Sequence, residues 1–444
     1  MLKMNIDKFI IKQNSTTAAL GSFVASHCIP DSLVFLTMGI GCKAQLPIYM
    51  GTHETNNSYV SRMGWSEFDE NDLITGSVEK VKSNLLGQIN RFDGNFFPIV
   101  ISPIQKLIGM DSALKKLADE LSLISGKIIR FVEMSGVESD FWEGYWEVVK
   151  TFAKTIDWSN SKLEKKSVNI WGYPFDRYEK EHSSNIRVLR EELARIGIKV
   201  NSIFLSGEKT HELSRARHSE YNLILPFASD MGQFLENLTG KKSIYTEMPM
   251  GISGTKKWLK RVSISIKSKK SYEKSLSYSN SREEELNQVL VDFKKKHSNQ
   301  SAGIILDLPY ITPILNIISE LGINTKFIII RDRHYGGIEM LKKNLEFHNI
   351  NLDNLIITDS CTFDEINSLS NTTKVNLVIA SSFETKMIKT DNTRLMEFGF
   401  PSTNTHFKDK EYPFLGFDGF KSFVKLVDNA LNSKNNDNNN LRWY

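Results

Sequence analysis

Of the three cysteines in this 444-residue chain, Cys42 is the one whose neighbours suggest chemistry. It closes the turn Gly39-Ile-Gly41-Cys42, directly after the apolar run Leu33–Thr37. Glycines there let the backbone turn tightly and approach a bulky group, and a thiolate beside them would suit iron or zinc. A free cysteine is also commonly buried at a strand end, so spacing alone leaves packing as the competing reading. Cys28, just before Pro30, reads as the end of a helix and a core residue, and Cys361, in a polar turn, as a surface thiol. Three cysteines exclude a disulfide scaffold and any multi-cysteine metal site held by this chain alone, and free thiols fit a reducing compartment.

Other chemistry is poorly supplied. No G-x-x-x-x-G-K-[ST] phosphate loop occurs, and no G-x-G-x-x-G follows a first strand. Gly251-Ile-Ser-Gly254-Thr255 could hold an anion at a helix start, but capping by Ser253 or Thr255 explains it as well and is preferred. The nine histidines form no H-x-x-x-H or H-E-x-x-H pair, and no Ser-His-Asp set can be assembled from spacing. The turn Asp332-Arg333-His334 reads as solvated, and Trp65, Trp142, Trp146, Trp158 and Trp171 as packing residues.

The elements that must position these residues alternate along the chain. Short β-branched runs such as Leu33–Thr37, Phe97–Ile101, Val168–Trp171, Gly303–Asp307 and Lys326–Ile330 are separated by amphipathic stretches such as Ser77–Arg91, Ser183–Ile196 and Gly337–His348. Strands a helix apart imply parallel sheets in doubly wound layers. Three such domains are expected: 1–160 with the cysteine turn, 161–265 and 282–431, followed by a polar tail over 432–444. The polar stretch Asp157–Lys166 and the Ser- and Lys-rich Ser263–Arg282 read as linkers. Ligands of open α/β sheets bind beyond the carboxyl ends of the strands. Turns expected there include Ser102-Pro103, Gly172 to Asp176, Pro226 to Asp230 and Pro249 to Thr255, and clefts facing one another would make a central site. Lys+Arg 56 against Asp+Glu 52 leaves +4, too even to argue for nucleic acid or an anionic membrane surface. The first twenty residues lack a sustained apolar stretch, and Leu33–Met50 is interrupted by Lys43, Gln45 and Pro47. A cytoplasmic protein with no membrane span is expected.

Several segments resemble nitrogenase component 1 and its relatives, among them the protochlorophyllide and chlorophyllide reductases and the cofactor-assembly scaffolds. LVFLTMGIGCKAQ is similar to the family strand leading to a cluster cysteine, at Cys42. IVISPIQKLIGMD is similar to the segment in which a cysteine-proline precedes Leu-Ile-Gly-Asp-Asp. NIWGYPFDRYEKEHSSNIRVLREELARIGIKV resembles the second-domain opening, and Pro249 to Thr255 a Pro-x-Gly-x-x-x-Thr element of the reductase subunits. FGFPSTNTHFKDKEYPFLGFDGF resembles the segment carrying the cofactor histidine, here His406, with Gly416-Phe-Asp-Gly419-Phe fixing the register.

The resemblance implies three Rossmann-like doubly wound parallel-sheet domains around a central cleft. Of the three cluster-cysteine positions only Cys42 is kept; the others fall at Thr16 or Thr17 and at Ser102, and the nitrogenase cofactor cysteine falls at Pro226. Nitrogen fixation is therefore disfavoured. The implied alternative is a β-like subunit contributing one ligand, Cys42 or unusually Ser102, to a [4Fe–4S] cluster shared with a second nitrogenase-like subunit in a heterodimer or heterotetramer. An ATP-hydrolysing iron protein would deliver electrons for reduction of an unsaturated substrate such as a tetrapyrrole. Pro226, Pro249, Gly251 and His406 would shape the substrate cleft, and Glu143 and Asp176 are candidate proton donors. The competing expectation is a non-catalytic scaffold for cofactor assembly, or a structural partner without its own cluster. A third, cluster-free protein handling a sugar nucleotide ranks last, since the glycine pattern does not support it.

Overall fold

Continuous apolar runs make the strands, as expected where a sheet is covered on both faces. The computed structural model describes residues 17–39, 46, 62–135, 139–159, 162–173, 181–331, 334–347, 354–359, 362–388, 393–400 and 412–433. They group into two compact units, one formed by Thr16–Tyr178 with Val200–Ile244, the other containing Glu179–Lys199 and the chain from Tyr245 onward.

The first unit opens with helix α1 (Ala18–His27), strand β1 (Val34–Met38) and strand β2 (Met63–Glu67). Helices α2 (Glu70–Thr75) and α3 (Val78–Arg91) lead to β3 (Phe96–Ile101), and α4 (Pro103–Leu107) and α5 (Asp111–Ser125) lead to β4 (Ile128–Phe131). The sheet order is β2-β1-β3-β4, parallel throughout, with Phe35 opposite both Gly64 and Ile99. Val81, Leu85 and Ile89 on α3, and Leu114, Leu117 and Leu121 on α5, recur at helical spacing and are buried in one cluster with Phe35, Phe97 and Ile99. Helix α6 (Phe141–Ala153) packs on α1 through reciprocal glycines. A Cβ on Gly21 would stand 1.9 Å from the Phe141 carbonyl oxygen, and one on Gly144 1.9 Å from that of Ala18.

Strand β5 (Glu164–Trp171) begins the second sheet. The chain then forms α7 (His182–Arg195), which belongs to the other unit, and returns as β6 (Lys199–Ile203). A short α8 (Thr210–Leu213), β7 (Ser219–Ile224), a 3-10 turn over Pro226–Met231, α9 (Gly232–Thr239) and β8 (Ser243–Tyr245) complete the order β6-β5-β7-β8. Buried amides lace this sheet: Trp171 Nε1 donates to Asn222 Oδ1 at 3.1 Å, and Asn222 Nδ2 to Thr239 Oγ1 at 3.0 Å. The two sheets of the unit are tied at Asp31, whose carboxylate accepts from Thr210 N at 2.9 Å and Thr210 Oγ1 at 2.6 Å.

In the second unit, α10 (Gly251–Ser265) and the 28-residue α11 (Lys269–Lys296) precede β9 (Ser301–Leu306). The Ser- and Lys-rich stretch expected as a linker is thus helical. Ser271, Ser275 and Ser279 recur every four residues and are buried, a small-residue face that a hydrophobic-period reading passes over. The remaining elements are α12 (Leu308–Glu320), β10 (Asn324–Ile330), α13 (Gly337–Phe347), β11 (Ile356–Thr358), α14 (Phe363–Thr373), β12 (Leu377–Ala380), α15 (Ser382–Met387), β13 (Arg394–Glu397) and α16 (Gly416–Asn432). The sheet order is β11-β10-β9-β12-β13, again parallel. The described residues therefore hold three parallel sheets, as the alternating pattern predicts. No described helix is long and apolar enough to cross a membrane.

Candidate functional site

The first sheet opens at its carboxyl edge into a cavity of about 490 Å³. The crossover from β1 leads to β2 on one side, and β3 lies on the other. The ends of β1 and β3 thus meet at the topological switch point where open α/β sheets bind ligands. Met38, Ile101 and Phe131 supply apolar wall from the three strands, and Thr17–Ala19 at the start of α1 close one side. Asp111, Ser112 and Lys115 come from the first turns of α5.

Ser102, expected as an oxygen ligand, lies in this cavity wall as the N-cap of α4. Its Oγ accepts from Gln105 N at 3.4 Å and donates to Gln105 Oε1 at 3.2 Å, while Ser102 N donates to the same Oε1 at 3.1 Å. This is a capping box, built by the Ser-Pro-Ile-Gln spacing. Thr17 lines the same cavity and caps α1, its Oγ1 accepting from Leu20 N at 3.4 Å. The described hydroxyls at expected cluster-cysteine positions, Thr17 and Ser102, are thus engaged in starting helices; Thr16, the alternative to Thr17, lies outside the described residues.

The charged lining is partly paired. Lys115 donates to Glu133, which holds the Glu133 carboxyl below the usual carboxylate range and the Lys115 ammonium above its own. Lys154 and Lys106 add to the effect on Glu133. Lys106 donates to the backbone carbonyl of Met134. Sequence reading singled out none of these three lining side chains, Lys106, Lys115 and Glu133. They are ordinary surface types, and only the crossover geometry brings them to one edge.

The donors present do not fit an iron–sulfur cluster. Such a cluster takes about four ligands, usually thiolates, whereas the described lining offers hydroxyls, ammonium groups, two carboxylates and the thioethers of Met38 and Met134. Among the described residues no three His, Cys, Asp or Glu side chains gather as a metal site. Cys28 is buried at the end of α1, its Sγ 3.3 Å from the Val24 carbonyl oxygen, in keeping with a packing role. Cys42, Asp176, His406 and Cys361 lie outside the described residues.

The other described candidates are not among the residues lining the cavity. Glu143, in the first turn of α6, accepts from Ser135 Oγ at 2.8 Å and Ser139 Oγ at 3.2 Å and so braces the segment before its own helix. Pro226 starts the 3-10 turn after β7, half-buried. Pro249 and Gly251 belong to the other unit and hold backbone together there. The Pro249 carbonyl accepts from Gly416 N at 2.7 Å, and Gly251, at φ +72°, turns into α10 where a Cβ would meet Ile317 at 2.7 Å. The start of α10 is capped by neither Ser253 nor Thr255. Glu320 of α12 accepts from Ile252 N at 3.3 Å and Ser253 N at 2.9 Å, so the anion at this helix N-terminus is a carboxylate of the chain itself.

A strongly perturbed carboxyl of this unit is Glu192 on α7, which sequence reading also missed. Its Oε1 accepts from Phe417 N at 3.2 Å, at the first turn of α16, while Asn185 Oδ1 accepts from Phe414 N at 2.9 Å and Leu415 N at 3.1 Å. Burial pushes the Glu192 carboxyl up to about 7, against the lowering effects of Phe417 N–H, Tyr278 and Arg282. Burial and the neighbouring Glu192 push the Tyr278 phenol upward as well. The Gly416-Phe-Asp-Gly419-Phe motif is explained by this packing. At φ +70°, a Cβ on Gly416 would lie 2.4 Å from Val188 Cγ1, and one on Gly419 2.3 Å from the Phe414 carbonyl carbon.

A sequence model described as nitrogenase component 1 type oxidoreductase matches residues 17–432. Comparison with curated proteins gives no match. Among solved structures, the chain is similar to one titled "Nitrogenase Cp1 at pH 5", with TM-score 0.72 and 15% identity over 93% of this chain and 88% of that one. It is likewise similar to "Nitrogenase Cp1 at pH 6.5", with TM-score 0.77 and 15% identity over 94% and 92%. At that identity the structural likeness concerns the fold.

Proposed function

Because the chain belongs to the nitrogenase component 1 type oxidoreductase family, we propose that it works in the cytoplasm as one subunit of a nitrogenase-like reductase. Its partners in this reading are a second component 1 type chain, in a heterodimer or heterotetramer, and an ATP-hydrolysing iron protein that supplies electrons. The observation that carries the reading is the engagement of Thr17 and Ser102 as helix caps in a cavity whose described lining has no thiolate. A [4Fe–4S] cluster in such an assembly draws its ligands chiefly from the partner, with Cys42 as this chain's one thiolate. The substrate class is an unsaturated molecule, with a tetrapyrrole as the first candidate. Asp176 is kept as a proton donor, and Pro226 and His406 as cleft residues. Glu143 is kept as a second candidate proton donor, and Pro249 and Gly251 as further cleft residues.

The test is anaerobic purification of the chain alone and together with the product of a neighbouring gene, followed by iron, sulfide and visible-absorption measurements. Iron and sulfide found only in the co-purified complex, and lost in Cys42→Ala, support the reading. A colourless, iron-free complex sinks it. That outcome would leave the second reading, a non-catalytic assembly scaffold or structural partner, which the complete internal hydrogen bonding of the Ser102 hydroxyl favours.

A further inference from the structure

The near balance of charge over the whole chain conceals a local excess. Residues 256–274 hold seven lysines and one arginine against a single glutamate, in a chain with Lys+Arg 56 and Asp+Glu 52. They run from the middle of α10 past its end into the first turns of α11, all within the unit that continues from Tyr245. Helix α10 sorts its residues by face. Trp258, Leu259 and Val262 are buried, whereas Lys257, Lys260, Arg261 and Ile264 are exposed at i, i+3, i+4 and i+7, which is one stripe of a helix. Lys267, directly after the C-cap residue Ile266, is exposed as well.

Little of this charge is answered. Lys256 pairs with Glu283 at 2.6 Å, but Arg261 reaches Glu247, and Lys269 reaches Glu273, only at 3.9 Å. Lys257, Lys260, Lys267, Lys270 and Lys274 have no carboxylate partner among the described residues. Like charges gathered in this way attract an anionic counter-surface. Two large side chains stand among them: Ile264, 54% exposed, and Tyr245, 45% exposed, whose carbonyl accepts from Arg261 Nε. Composition separates the classes of anionic partner. Nucleic-acid and protein interfaces favour arginine, whose planar fork holds phosphate or carboxylate through two hydrogen bonds. Seven lysines to one arginine suit a diffuse headgroup layer instead, in which an aliphatic and an aromatic side chain can seat at the interface.

We propose that the outer face of α10, with the start of α11, docks on an anionic phospholipid surface. Lys257, Lys260, Arg261 and Lys267 lie against the headgroups, and Ile264 dips among them. The contact is peripheral, since no described helix is long and apolar enough to cross a membrane. It depends neither on a cluster nor on Cys42.

The full chain, purified alone, is sedimented with phosphatidylcholine vesicles that contain none, one fifth or two fifths phosphatidylglycerol. Binding is expected to be absent on phosphatidylcholine alone, to rise with the anionic fraction, and to vanish at about 0.5 M salt. Lys257→Gln combined with Lys260→Gln weakens it about tenfold, and Ile264→Ser about threefold at unchanged charge. Lys342→Gln combined with Lys343→Gln removes the same charge from the exposed face of α13 and leaves binding as it was. The melting transition of each variant is recorded alongside. Equal binding to neutral vesicles, or no binding to anionic ones, overturns the proposal. So does equal weakening by the two lysine pairs, which would make net charge and not this face responsible, or indifference to Ile264→Ser. Anisotropy with a labelled DNA duplex at the same salt tests the other anionic polymer: duplex binding that needs Lys257 and Lys260, without vesicle binding, assigns the face to nucleic acid and overturns the proposal too. Neither iron nor a partner chain is needed, so failure here and an iron-free complex are separate results.

Discussion

Asn185 and Glu192, two turns apart on α7, hold the entry to α16 by accepting the amides of Phe414, Leu415 and Phe417. The Glu192 carboxyl is buried, so the folded unit favours its neutral form, with the group moved from the ordinary 4.5 to about 7. A carboxyl raised on folding contributes stability that is complete below its unfolded value and lost as pH rises through the folded one. Between about pH 5 and pH 8 the protein should therefore lose up to about 3 kcal/mol through this residue. Glu192→Gln keeps the acceptor for Phe417 N–H and removes the charge. Denaturant titrations should show it flatter with pH than the parent, and more stable at pH 8. A parent and variant with parallel pH profiles would mean that another group dominates. Ser102→Ala loses the α4 cap, for which about 1 kcal/mol is expected. If urea unfolding shows no loss, the Ser102 hydroxyl is not acting as the cap described here.

At the level of elements, the α1–α6 contact is fixed by what two glycines lack. Adding a methyl at Gly21 or Gly144 puts carbon within 1.9 Å of a backbone oxygen, which no rotamer change relieves. Each Gly→Ala variant should cost on the order of 3 kcal/mol, the upper range for overpacking, and the melting temperature reads it. The α10 start is held differently. Glu320→Ala strips the carboxylate that holds its first amides and should cost about 1 kcal/mol, with Glu320→Gln recovering part of it. These contacts mark what the sequence made legible. Strands such as Val34–Met38 and Phe96–Ile101 stand out because they are apolar throughout, and helices such as Val78–Arg91 because their apolar residues recur at helical spacing. Strand β2, with Gly64 and an exposed Trp65, has no such run. Helix α11 hides a serine face inside a polar composition, and the α10 cap comes from 67 residues downstream. The Ser-Pro-Ile-Gln spacing that caps α4 stands in the sequence, yet Ser102 read there as a turn residue and candidate oxygen ligand. The cavity around it was not legible, since Lys106, Glu133 and Thr17 are brought together by crossovers rather than by spacing.

For the molecule as a whole, the chain enters its second unit once as α7, leaves it to finish the second sheet, and re-enters at Tyr245. No single cut therefore separates the two. A fragment ending at Ile244 carries α7 without the residues that cover Val188 and receive Glu192. It should elute from a sizing column as aggregate, and co-expression with the piece from Tyr245 onward should return it to solution. A monodisperse fragment would show that α7 does not need those partners. The same threading sets an order in time. Asn185 emerges from the ribosome about 230 residues before Phe414. At about 5–20 residues per second, that leaves α7 waiting roughly ten to fifty seconds for the segment it will grip. For that interval an early helix depends on late sequence. A nascent chain stalled before Gly416 would present it to chaperones, and the unit completed last is one whose first described helix was made before the chain was half synthesised.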